Sequence, residues 1–91
     1  MKVRVHILIE GKVQGVFFRQ NTKEEAKLRN VKGWIRNLPN GRVEALFEGY
    51  EEAVQEMIDF CRTGPRGSYV TKIDITREEH TGTFSDFQIT Y

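Results

Sequence analysis

Val3-Arg4-Val5-His6-Ile7-Leu8-Ile9-Glu10-Gly11-Lys12-Val13-Gln14-Gly15-Val16-Phe17-Phe18-Arg19 changes its hydrophobic period part-way along. Val3, Val5, Ile7 and Ile9 alternate with Lys2, Arg4, His6 and Leu8, and β-branched residues at period two predict a strand. Gly11 and Gly15 are expected to break it. From Phe18, or one residue later, to Asn30 the pattern turns helical. At 100° per residue Phe18, Thr22, Ala26 and Leu28 fall within an arc of roughly 160°. Thr22-Lys23-Glu24-Glu25 has capping-box spacing. The stretch reads as strand, glycine loop, helix.

The remainder extends this plan. Trp34 to Leu38 is a short strand, and Pro39-Asn40-Gly41 is a turn signal, because proline presets φ and Asn-Gly tolerates positive φ. Val43, Ala45 and Phe47 then alternate with Arg42, Glu44 and Glu48, which completes a hairpin. Glu51 to Arg62 is the strongest helix: Val54, Met57, Ile58 and Cys61 recur at i, i+3, i+4 and i+7. Glu51 and Glu52 suit its N-terminal dipole, Arg62 suits its end, and Gly64-Pro65 stops it. Ile73 and Ile75 mark another strand, and Phe87, Ile89 and Tyr91 a last one. The order strand, helix, strand, strand, helix, strand, plus a terminal strand, is the split βαβ plan. The expected fold is α+β and ferredoxin-like, an antiparallel-type sheet with two helices on one face. That architecture hosts many functions and decides no chemistry by itself.

Residues 1–91 are expected to form one domain, since the length leaves no room for a second. Lys and Arg number 14 against 13 Asp and Glu, a net charge of +1, where a general nucleic-acid binder carries a clearer basic excess. A single cysteine, Cys61, cannot form an intrachain disulfide. The N-terminal stretch is interrupted by charge, unlike a signal peptide, and no run approaches the roughly 20 apolar residues that span a bilayer. The expectation is a cytoplasmic protein with no membrane and no nucleic-acid partner.

His6, His80 and Cys61 show no zinc or haem spacing. The histidines read as solvated or structural, and Cys61, on the apolar stripe of the second helix, as a small buried hydrophobe. Glu24-Glu25, Glu51-Glu52 and Glu78-Glu79 read as solvated faces or helix starts. The loop from Gly11 to Arg19 is more informative. Glycine-rich loops that lead into helices expose backbone N–H groups to anions, and Arg19 stands at the mouth of this one. On its glycines alone it is equally an ordinary turn, and it lacks the Gly-Lys-Ser/Thr ending of a Walker loop. Its apolar tail, Val16-Phe17-Phe18, would anchor it in the core. Asn37, before Pro39, reads by itself as a turn residue.

Here a family resemblance enters. Gly11-Lys12-Val13-Gln14-Gly15-Val16-Phe17-Phe18-Arg19 resembles the first signature of the acylphosphatase family. Gly33-Trp34-Ile35-Arg36-Asn37, with Gly41-Arg42-Val43 and Gly49, resembles the second. Ile35 departs from it, standing where the family has a smaller apolar residue. The resemblance covers essentially the whole chain and implies hydrolysis of acyl phosphates to a carboxylate and inorganic phosphate. It implies that the main chain of Gln14, Gly15, Val16, Phe17 and Phe18 binds the phosphoryl oxygens together with Arg19. It implies that Asn37 orients the attacking water, with no metal and no cofactor. The implied partners are a small-molecule acyl phosphate and inorganic phosphate as product and competitive inhibitor, with a monomer as the default state.

The residues suit that chemistry. The leaving group of an acyl phosphate is a carboxylate, of pKa roughly 4–5, so no general acid is required. Phosphoryl transfer rests on positioning and on stabilising charge, which amides and a planar guanidinium supply. Asparagine carries both donors and an acceptor for a water. Two other classes compete. An RNA-binding sheet needs exposed aromatics on its central strands, and Arg42 to Glu48 instead carries two carboxylates. A non-enzymatic domain of the kind found in hydrogenase-maturation carbamoyltransferases would be followed by further domains, and the end at Tyr91 favours a free-standing enzyme. No residue that reads the acyl group is identifiable from the sequence.

Overall fold

The computed structural model describes Met1–Tyr91. Its elements are β1 (Lys2–Lys12), α1 (Phe18–Leu28), β2 (Lys32–Asn37), β3 (Val43–Tyr50), α2 (Glu51–Thr63), β4 (Tyr69–Glu78) and β5 (Phe87–Ile89). The strands form one sheet in the order β4-β1-β3-β2-β5. β1 is antiparallel to β3 and β4, and β2 is antiparallel to β3. β5 runs parallel to β2, so the ferredoxin-like sheet is mixed at that edge.

Alternation sets the core. Val3, Val5, Ile7 and Ile9 of β1 lie level with Val43, Ala45 and Phe47 of β3 on one face. They are buried there with Phe18 and Ala26 of α1 and with Val54, Met57, Ile58 and Cys61 of α2. Gly33 pairs with Phe47 on one side and Phe87 on the other. Without a side chain between them, the two rings stack at 5.7 Å. Its φ is +135°, and a Cβ there would stand 1.8 Å from the Leu46 carbonyl oxygen, so no other residue fits.

Three local expectations are corrected. β1 does not break at Gly11: pairing with β4 continues to Lys12, with a register shift at Glu10/Gly11. This is a bulge where φ is +128° and a Cβ would meet the Tyr69 carbonyl. Thr22 does not cap α1. It lies in the helix, buried, and its hydroxyl donates to the Phe18 carbonyl oxygen at 2.7 Å, because it belongs to the stripe Phe18, Thr22, Ala26 that faces the sheet. Leu28 is 79% exposed. It stands about 160° around the helix from Ala26, which is outside that stripe, and the helix ends there with Arg29 as its C-cap. The hairpin forms as expected: Leu38 N–H donates to Arg42 C=O at 2.8 Å and Gly41 N–H to Leu38 C=O at 3.1 Å.

The opposite face of the sheet carries charge held in pairs. Glu44 accepts from His6 at 2.8 Å and from Arg36 at 2.6 Å. Leu46 is buried there, in register between His6 and Trp34. Glu48, only 2% exposed, anchors the segment between β4 and β5. Its carboxylate accepts from Thr81 N–H at 2.9 Å, the Thr81 hydroxyl at 3.0 Å and Gly82 N–H at 3.3 Å, and pairs with Arg4 at 3.5 Å. Burial alone would raise its pKa. The bonds from Thr81 and the electrostatic pull of His80 and Arg4 outweigh burial and hold the carboxyl below its ordinary 4.5. A carboxylate lowered in this way adds stability that is complete above its unfolded pKa and lost as pH falls through the folded one. Glu48→Gln should therefore cost about 1–3 kcal/mol at neutral pH. In urea titrations its gap from the parent should narrow steadily below about pH 4.5. A gap independent of pH would mean that the carboxylate charge is not what holds the segment.

Candidate active site

Strand direction decides what meets at one end of the sheet. β1 and β2 are both antiparallel to β3, and β5 is parallel to β2. The C-terminal ends of β1, β2 and β5 therefore share one edge. The chain leaving β1 enters α1 there, Asn37 closes β2 there, and the residues after β5 arrive there.

The loop between β1 and α1 is fastened at both ends. Val13 and Phe18 are buried in the core, and Val16 packs against it. Phe17 is the helix N-cap in the left-handed region, φ 59° and ψ 26°, with no side-chain cap. The first helical bond to the loop runs from Asn21 N–H to Phe17 C=O at 3.0 Å. The N–H groups from Gly15 to Gln20 donate to no acceptor within the protein. A helix N-terminus with uncommitted amides is an anion site by geometry and by dipole. Gln14 ties the loop to the hairpin: its Nε2 donates to Leu38 C=O at 2.8 Å and to Arg42 C=O at 2.9 Å.

Arg4, Arg29, Arg36, Arg42 and Arg77 each pair with a carboxylate. Arg62 and Arg66 pair with none and lie outside the cleft described below; inside it, the same holds for Arg19. Its guanidinium instead lies 5.4 Å from the centroid of the Tyr91 ring. A stacked ring occupies a face of the guanidinium and leaves its in-plane N–H fork free. Across the cleft, Asn37 Oδ1 is buried without a hydrogen-bond partner, a condition that costs free energy unless a ligand or water donates to it.

Arg19 and Asn37 line one cleft of about 300 Å³ together with Gly15, Phe17 and Phe18. Gln14 and Val16 do not line it: the Gln14 side chain serves the hairpin, and Val16 faces the core. Val13, Gln20, Ile89 and Tyr91 complete the lining and were not anticipated as site residues. Val13 and Gln20 flank the loop, and the place of Ile89 and Tyr91 follows from the direction of β5, which the sequence pattern does not encode. His6, His80 and Cys61 lie away from the cleft. Burial pushes the Cys61 thiol up to about 12, as suits an inert core cysteine. Arg36 and Arg42 are paired to Glu44 and Glu10. No helix is long and apolar enough to cross a membrane.

The acylphosphatase family model matches residues 5–89. The chain belongs to the acylphosphatase family. Among its relatives, an acylphosphatase from Syntrophus aciditrophicus is 53% identical over 91 residues, all of this chain and 95% of its own length. One from Geotalea uraniireducens is 47% identical over the whole of both chains. The crystal structure of acylphosphatase from Bacillus subtilis is similar at a TM-score of 0.93 and 37% identity, covering 98% of this chain and 99% of that one. Acylphosphatases are hydrolases that act on acyl phosphates, and the cleft at the shared strand ends is where this acylphosphatase collects its unpaired polar groups. Gln14→Leu keeps the bulk of the Gln14 side chain and removes both of its bonds. It should cost about 1–3 kcal/mol in thermal or urea unfolding and lower activity on benzoyl phosphate. Full stability and activity in the variant would show that the clamp is dispensable.

Proposed function

We propose that this acylphosphatase binds the phosphoryl group of its substrate between the main chain of Gln14 to Phe18 and the Arg19 guanidinium, and that Asn37 orients the attacking water. One observation carries the reading. The uncommitted amides of Gly15, Phe17 and Phe18, the unpaired Arg19 and the buried, partnerless Oδ1 of Asn37 all belong to residues of a single cleft.

The steps follow from these groups. Arg19 offers parallel N–H donors to two phosphoryl oxygens, and the loop amides, held before substrate arrives, take the charge that spreads over the equatorial oxygens. Asn37 Oδ1 accepts a hydrogen bond from water and sets it for in-line attack. The water oxygen bonds to phosphorus, the bond from phosphorus to the acyl oxygen breaks, and its electron pair leaves on the carboxylate. The water proton passes to a phosphate oxygen. A carboxylate of pKa about 4–5 leaves unprotonated, so the reaction asks for no general acid, and the charge stabilisation asks for no metal. Inorganic phosphate, which presents the same oxygens as the substrate, competes for the cleft.

Arg19→Ala should abolish both phosphate inhibition and turnover, and Arg19→Lys should restore little of either, because a lysine lacks the planar fork. Asn37→Ala should lower kcat about 100-fold or more while the inhibition constant of phosphate stays close to that of the parent. Both are read with benzoyl phosphate in metal-free buffer containing EDTA. Full activity of the Asn37 variant, or no activity of the parent in EDTA, would overturn the mechanism.

A further inference from the structure

The polar groups of the cleft account for the phosphoryl half of the substrate and leave its other half unexplained. At about 300 Å³ the cleft reaches the lower end of the range that holds whole small-molecule ligands, about 300–1,000 Å³, so it takes more than a phosphoryl group and one water.

Its apolar lining divides in two. Val13 and Phe18 are buried floor and belong to the core. Phe17 and Tyr91 are rim, 79% and 96% exposed, and contribute little to folding in those positions. Phe17 is the more telling. It sits at φ 59°, where a bulky side chain is a backbone outlier and glycine or asparagine would be at ease. An aromatic ring that is both strained and solvated is explained by neither packing nor propensity, and such residues gather at ligand sites.

Tyr91 has a second constraint. Thr90 N–H donates to Ile35 C=O at 2.8 Å, which prolongs the parallel pairing and holds the Tyr91 ring against Arg19. A substrate whose phosphoryl oxygens meet the Arg19 fork thus carries its acyl group out beside this ring. Beyond Arg19 the lining offers a polar acyl group no charged side chain, and Gln20 already donates to Glu24 at 3.3 Å.

We propose that Phe17, Ile89 and Tyr91 form the acyl-side wall of the cleft, and that this enzyme prefers acyl phosphates with aromatic or branched apolar acyl groups to those with small or polar ones. The proposal rests on the phosphoryl reading of Arg19 and its loop. Phe17 and Tyr91 supply exposed aromatic area to the cleft, Ile89 is partly buried beside the core, and burial against them is worth most to a planar ring.

The test compares kcat/KM for benzoyl phosphate and acetyl phosphate. Their ratio between variant and parent cancels the intrinsic reactivity of each mixed anhydride. Phe17→Asn removes the ring and keeps a residue at ease with positive φ. Tyr91→Ala removes the other ring from an exposed position. Each should lower the benzoyl-to-acetyl ratio about tenfold, mainly through KM for benzoyl phosphate, and Phe17→Leu should keep more of the ratio than Phe17→Asn. An unchanged ratio in both ring-removal variants overturns the proposal. So does an equal fall for both substrates accompanied by weaker phosphate inhibition, which would mean that the rings only position Arg19 and the loop. Arg19→Ala separates the two readings. If it loses phosphate inhibition while the ring variants keep the parental ratio, only the acyl-side wall fails. If it binds phosphate like the parent, the phosphoryl reading fails with it.

Discussion

The carboxamide of Gln14 bridges two chain segments that would otherwise have no fixed relation. One is the loop into α1, which carries the uncommitted amides and leads to Arg19. The other is the β2–β3 turn, which begins just after Asn37. By donating to both the Leu38 and Arg42 carbonyls, Gln14 sets the width of the gap across which phosphate and water would have to line up. A reaction that draws its rate from positioning is sensitive to such a gap, because small displacements of a reacting atom carry large penalties. The buried Val13 and Phe18 fix the loop to the core, and the clamp fixes it to the hairpin. The loop amides are therefore held in place by contacts within the protein alone.

Selective pairing of the arginines gives the cleft its electrostatic character. Five arginines elsewhere are neutralised by carboxylates, Arg62 and Arg66 stand outside the cleft, and the charge on the open face of the sheet is stitched into pairs around Glu44 and Glu48. Arg19 keeps its charge and its N–H fork uncommitted, with an aromatic ring rather than an acid beside it. Placed against the first turn of α1, it adds to a dipole of the same sign. The cleft has no Asp, Glu, His or Cys side chain in its lining, which fits a substrate whose leaving group needs no proton.

Much of this was legible in the sequence, for identifiable reasons. Alternation in Val3 to Ile9 and Val43 to Phe47 follows from burying one sheet face, and the stripe Val54, Met57, Ile58, Cys61 follows from burying one helix face, so periodicity located those elements. The Pro39-Asn40-Gly41 turn was readable from backbone chemistry. Thr22 and Leu28 misled because both are set by which side of α1 meets the sheet: a threonine suited to capping was placed in the core, and a leucine suited to the core was left in water. Gly11 reads as a strand end, yet it is a bulge, since only the partner strand β4 reveals the continued pairing. Gln14 gave no sign of its clamp, which spans 24 and 28 residues of sequence. Ile89 was found as a strand residue, Tyr91 was read into the same strand although β5 stops at Ile89, and both were missed as lining residues, because their place depends on β5 running parallel to β2.

That parallel edge has a consequence for the dynamics of the enzyme. β5 pairs with β2 only across Gly33 to Ile35, with the Thr90 bond added, at the border of the sheet. A short edge strand opens locally at a free energy well below that of global unfolding. When it does, Ile89 and Tyr91 leave the cleft, while Gln14, Arg19 and Asn37 stay on elements tied into the centre of the fold. The two halves of the cleft thus belong to cooperative units of unequal stability. Warming toward the melting transition loosens the half that faces the acyl group first, so discrimination among substrates fades while the phosphoryl half still stands.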